Sequence, residues 1–161
     1  MRKKNAHTVA IMAIILSLFA SAGNADTAED SIKYRHAVME AMSGHVAAFN
    51  LIATNKIDGQ KYLQAHADAV ANMSDELDIL FPKGSGDGDT EALPAIWDDS
   101  EKFSTAIAKM QETAGALREA TRSGDRKVVM GAFSAAGKAC KGCHEKFRAE
   151  DENEDSDSHS H

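Results

Sequence analysis

The chain is poor in proline: Pro82 and Pro94 are the only two among 161 residues. With few β-branched runs as well, little obstructs long helices, and sheet is disfavoured. Cysteine is as scarce. Both copies, Cys140 and Cys143, fall in one stretch, so thiol chemistry is confined to it. No extended basic patch interleaved with aromatics occurs, which argues against nucleic-acid binding. No apolar run reaches the roughly 20 residues needed to span a bilayer. A hydrolytic triad, a phosphate-cradling glycine loop and a paired-carboxylate site are missing too, so the chain does not read as an enzyme.

What is present is a domain's worth of apolar residues, 43% of the chain, and an uneven charge. The formal net charge is −7. The first 25 residues carry Arg2, Lys3 and Lys4 and no acid, which leaves 15 basic and 25 acidic residues in the remainder, a net −10. That N-terminus has the layout of a secretory signal peptide: a basic start, an apolar Val9–Phe19 stretch and small-residue cleavage sites after Ala22 or Ala25. Residues 26–149 form the expected folded domain, and the protein is expected in the periplasm without a stable membrane anchor. Residues 150–161 are acidic, serine-rich and without apolar side chains, a composition that cannot bury a core and is expected to be disordered.

Within the domain, apolar residues recur at helical spacing four times. The first helix is expected from a cap at Asp30 or Ser31 to about Ala53, with Ile32, Val38, Met39, Met42, Val46, Phe49 and Ile52 inward. The second starts after Asp58 and runs through Leu63, Ala67, Val70, Met73, Leu77 and Leu80 to Phe81-Pro82. Lys83 to Thr90 reads as a surface loop, and Pro94 suits the first turn of a short segment. A third helix runs from about Asp98 to Arg122, and a fourth from about Arg126 to Ala149. The expected fold is all-α, an antiparallel four-helix bundle.

The chemistry lies late in the fourth helix, at Cys140-Lys141-Gly142-Cys143-His144. C-x-x-C-H is the attachment signature of a c-type haem. Each thiol adds across a vinyl group to make a thioether, and the imidazole ligates iron. On a helix, positions i, i+3 and i+4 share one face, so all three side chains meet one flat ligand. Gly131, Gly137 and Gly142 in the same helix each cost about 1 kcal/mol relative to alanine, which suggests a bulky object against the backbone. Three other readings are weaker. A redox C-x-x-C normally opens a helix after a strand. A zinc site needs a fourth ligand from His36, His45 or His66 that no spacing suggests. A chance cysteine pair explains neither the histidine nor the glycines.

These residues, with Phe147-Arg148 after the motif, Tyr34-Arg35-His36-Ala37-Val38-Met39 in the first helix and Ile96-Trp97 before the third, make the chain resemble class II c-type cytochromes of the cytochrome c′ family. The resemblance covers residues 31 to 149. It implies one covalent haem c held by Cys140 and Cys143, with His144 as the proximal iron ligand. It places Arg35 near a haem propionate, on the 32–35–39–42 stripe of the first helix. His36 stands where relatives often carry glutamine, beside the same propionate. Phe147 and Arg148 border the proximal side, and Met39 lies over the distal face. Two mechanisms follow. With Met39 as sixth ligand the iron is low-spin and the protein an electron carrier, the reading the sequence leans towards. With Met39 as an apolar filler the iron is five-coordinate and open to NO and other small gases. The family also implies a homodimer through the first two helices as an open option.

The fourth helix carries Arg126, Lys127, Lys138, Lys141, Lys146 and Arg148 against Glu145 alone. On an acidic protein, that face suits acidic redox partner proteins. His45 and His66 could each ligate metal, but isolated helical histidines are more often satisfied polar residues; His45 could lie near the haem or in the bundle interior, and His159 and His161 in the tail are either weak metal donors or without a role.

Overall fold

In the computed structural model the structure describes residues 27–150. The expected signal peptide, and the expected tail beyond Glu150, lie outside them. The order is α1 (Ala28–Ala53), α2 (Leu63–Asp75), the single turn α3 (Ala95–Asp98), α4 (Ser100–Ser123) and α5 (Arg126–Phe147). Helices α1, α2, α4 and α5 form the four-helix bundle. Among the described residues there is no strand, only one isolated bridge between Ala92 and Arg148.

The start of α1 and both ends of α2 differ from the sequence reading by about a turn or more, and the other helix ends agree within two residues. Thr27, not Asp30 or Ser31, caps α1: its hydroxyl accepts from the Asp30 backbone N–H at 3.1 Å. Glu29 and Asp30 then fall in the first turn, where carboxylates favour the helix dipole. The second helix is shorter than its apolar stripe. A 3₁₀ turn, Gln60–Tyr62, leads into α2, and another, Leu77–Ile79, follows it. Near that break the buried Ser74 hydroxyl donates to Ala71 O at 2.7 Å, a local bond of the kind that competes with helix continuation. Asp99 caps α4, and Asp125 caps α5 by accepting from Lys127 N and Val128 N at 2.8 and 3.2 Å. Gly124 ends α4 at φ 68°, a left-handed conformation that glycine adopts without penalty.

Packing runs in sequence, α1 on α2, α2 on α4 and α4 on α5, whereas α1 and α5 do not pack along their lengths. The core has two parts. At one end Phe49, Ala53, Ala67, Leu117, Ala120, Val129 and Ala136 close the bundle, and Phe49 stacks on Phe133 at 4.9 Å between ring centroids. At the other, Val38, Met42, Val70, Leu80, Ile96, Phe103, Ile107, Met110 and Phe147 gather beneath the gap between α1 and α5. That gap is the site.

Candidate functional site

A cavity of about 330 Å³ occupies the gap. From α1 come Arg35, His36, Met39, Met42, Ser43 and Val46; from α4 come Phe103, Ile107 and Met110; from α5 come Cys140, Cys143, His144 and Phe147. Arg148, the Thr90–Ala92 segment, Leu77, Phe81, Ile96 and Ala106 complete the lining. The residues singled out in the sequence for the site therefore converge on one space.

The α5 wall carries the donors. Cys140 and Cys143 are unpaired and half-buried. Burial raises both thiol pKa values, and for Cys143 the neighbouring Cys140 adds to the effect, so both are neutral thiols. Cys140 Sγ lies 3.5 Å from the Met110 sulfur, an apolar setting. Burial lowers the His144 pKa, the Arg148 charge lowers it further, and Glu91 opposes them, which leaves a neutral imidazole able to donate its lone pair. No three His, Cys, Asp or Glu side chains converge as a metal cluster among the described residues. The zinc reading therefore lacks its donor set, and the cysteine pair lies late in α5 rather than at the start of a helix, where the redox reading would put it. Two neutral thiols and a neutral imidazole on one wall of an apolar slot do fit a haem.

The rim is tied to the helix end. Leu93 N–H donates to Phe147 O at 3.0 Å, and Ala149 N–H donates to Glu91 O at 2.8 Å. Arg148 Nε lies 3.8 Å from Glu91 Oε2, across an exposed pair that adds little stability. Phe147 is buried edge-on against Phe103, which meets Phe81 edge-on in turn.

Arg35 lines the cavity and also has an anchoring role that its place in the sequence does not reveal. It is only 3% exposed, and it engages a loop. Nη1 donates to Leu80 O and Ser85 Oγ, and Nη2 to Ser85 O and Thr90 Oγ1, at 3.2, 3.1, 3.0 and 2.6 Å. The guanidinium also lies 4.9 Å from the Phe81 ring centroid. The stretch read as a surface loop is thus anchored, with Ser85 fully buried. Sequence reasoning missed Ser85, Thr90 and Glu91, because nothing in a Gly/Asp/Ser-rich loop marks which hydroxyl turns inward. His36 is exposed at the cavity edge. The glycine reading needs correction as well. Gly131, Gly137 and Gly142 do not line the cavity, and a Cβ at any of them would meet nothing within 4 Å. The space comes from the separation of α1 and α5.

A four-helix bundle whose last helix turns two thiols and an imidazole into an apolar slot is the build of a mono-haem c-type cytochrome anchored at its C-terminal end. The family model described as cytochrome c′ matches residues 30–148. Cytochrome c′ from Rhodospirillum rubrum is 33% identical over 120 residues, covering 74% of this chain and 82% of its own. Among solved structures, cytochrome c prime from Shewanella frigidimarina is 32% identical, with a TM-score of 0.75, covering 79% of this chain and 100% of its own. A variant of cytochrome c prime from Alcaligenes xylosoxidans, solved as its nitric oxide complex, is 25% identical with a TM-score of 0.72, over 78% of this chain and 98% of its own. The chain belongs to the cytochrome c′ family, and its cofactor is covalently attached haem c.

Proposed function

We propose that this protein is a periplasmic mono-haem cytochrome c′ with a five-coordinate iron that binds NO and similar small gases. The observation that carries the reading is Met39. It is half-buried and packs against the core cluster around Val38 and Met42, the place of an apolar filler on the α1 wall. The nitric oxide complex of the Alcaligenes relative supports the same choice.

A bound haem would supply an iron able to take a small ligand or to change oxidation state. The chain does the rest. Cys140 and Cys143 fix the group to α5, and His144, kept neutral by burial, is the proximal donor. Met39, Met42 and Val46 make the facing wall apolar, which excludes water and admits a small uncharged molecule. The assignment is binding and electron carriage, with no turnover of substrate. Residues 1–25 supply the export signal, and no described helix is long and apolar enough to cross a membrane.

The second reading, an electron carrier with Met39 and His144 as axial ligands, draws on the same geometry, since the two side chains line one cavity from opposite helices. Visible spectroscopy separates the two. High-spin spectra in both oxidation states, with ready binding of CO and NO, are expected. A low-spin spectrum indifferent to CO would establish Met39 ligation instead.

A further inference from the structure

Glu91 is the one carboxylate among the described residues that line the haem cavity, against the cations Arg35 and Arg148. Backbone bonds hold it in place. Ala149 N–H donates to the Glu91 carbonyl at 2.8 Å and Leu93 N–H to the Phe147 carbonyl at 3.0 Å, around the antiparallel bridge between Ala92 and Arg148. Arg148 N–H in turn donates to the His144 carbonyl at 3.0 Å, one helical turn back. Glu91 and Arg148 are thereby fixed at the end of the cavity where His144 stands. Arg148 Nε lies 3.8 Å from Glu91 Oε2, with the side chains 43% and 50% exposed. So open a pair adds little to folding. Its stability contribution does not account for two opposite charges being carried there.

We propose that Glu91 and Arg148 set the reduction potential of the haem iron from the side of His144, the carboxylate holding it down and the guanidinium holding it up. Reduction adds one negative charge at the iron. A nearby carboxylate opposes that charge and a nearby guanidinium favours it. Because the backbone bonds fix both segments, each group keeps its distance from the iron when the other is removed, and each acts by its own sign. The inference rests on His144 as the proximal donor. It holds for either reading of Met39, which lies on the opposite wall.

The test is a one-electron redox titration of the holoprotein at neutral pH and about 0.01 M ionic strength, where screening is weak. Glu91→Gln keeps the backbone carbonyl and removes the charge. At a fixed applied potential it should raise the ferrous-to-ferric ratio at least about threefold, which is ~28 mV at about 59 mV per tenfold. Arg148→Gln should lower the ratio by a comparable factor, and the double variant should fall between the two. Glu91→Asp keeps the charge and should stay near the parent. Glu112→Gln, in an exposed pair with Lys109 outside the cavity lining, should match the parent. A merely structural role for Glu91 would lower the urea midpoint without giving the two single variants opposite signs. A parent spectrum without a histidine axial ligand would overturn the His144 reading and this inference with it. A histidine-ligated parent whose potential ignores Glu91→Gln, or moves the same way in Glu91→Gln and Arg148→Gln, would overturn this inference alone.

Discussion

Arg35 holds Ser85 by both its side chain and its backbone: one guanidinium nitrogen donates to the hydroxyl at 3.1 Å and the other to the carbonyl at 3.0 Å. The serine in turn donates to Pro82 O at 2.8 Å. One buried cation thus ties the middle of the 80–90 loop to α1 beside the haem cavity. A buried charge is tolerable only when its donors are matched, and here carbonyl and hydroxyl oxygens do the matching.

Arg35→Met keeps the length and apolar stem but leaves those oxygens without their donors. It is expected to lower the unfolding free energy by about 2–4 kcal/mol, the range for breaking a buried charged network. Arg35→Lys should recover only part of this, because an ammonium cannot reproduce the planar fork. Urea titration followed at the haem absorption measures both. A loss under about 0.5 kcal/mol for Arg35→Met would show that the loop does not depend on the guanidinium.

The same loop makes one approach that only glycine permits. A Cβ at Gly86 would lie 2.6 Å from Cζ3 of Trp97, a ring whose Nε1–H donates to Phe81 O at 3.2 Å. Gly86→Ala must displace either ring or loop. A cost of about 1–3 kcal/mol is expected, as for other overpacked sites. A shift in Trp97 emission should accompany it, Trp97 being the only tryptophan. An unchanged melt and an unchanged spectrum would together mean that the contact relaxes freely.

The bundle and its haem motif were legible because both are local in sequence. Stripes at helical spacing identify α1, α2, α4 and α5, and Cys140, Cys143 and His144 fall on one helix face by spacing alone. What escaped was long-range. Arg35 finds its acceptors 45 to 55 residues away. His45 and His66 are 21 residues apart and meet only because α1 and α2 pack in a particular register. The second helix was overextended because a 3₁₀ turn at Leu77–Ile79 keeps Leu77 inward, as a longer helix would. The three glycines misled for a different reason: a residue's cost in a helix says that something compensates, not where.

The two parts of the core predict separable effects. Phe49 is fully buried in the closed end, away from the cavity. Phe49→Ala removes its stacking on Phe133 and leaves a void, at a cost of about 3–5 kcal/mol. The haem spectrum of the folded protein should nonetheless match the parent's. A changed spin state or altered CO affinity would show that the closed end sets the cavity's shape.

Met39→Leu exchanges a thioether for a hydrocarbon of similar volume. If Met39 is a filler, stability changes by less than about 1.5 kcal/mol and the ferric spectrum stays high-spin. Met39→Ala then opens the α1 wall, and CO association should accelerate at least about tenfold, equivalent to ~1.4 kcal/mol off the barrier. Conversion of a low-spin parent into a high-spin Met39→Leu variant would identify the sulfur as a ligand.

Charge on α5 bears on partner choice. Arg126, Lys127, Lys138, Lys141, Lys146 and Arg148 are all exposed. Lys141 is 3.5 Å from Glu145 and Arg148 3.8 Å from Glu91. Lys138 and Lys146 have no acidic partner within ion-pair distance among the described residues, so their charge is available to a docking protein. Screening shortens from about 30 Å at 0.01 M salt to about 10 Å at 0.1 M. Electron transfer to an acidic redox protein should therefore slow at least about threefold over that range, as expected for steered encounters. Lys138→Glu with Lys146→Glu should lower the low-salt rate and flatten its salt dependence, leaving the haem spectrum unaltered. A rate indifferent to both salt and the double substitution would reduce this face to a solvated helix surface.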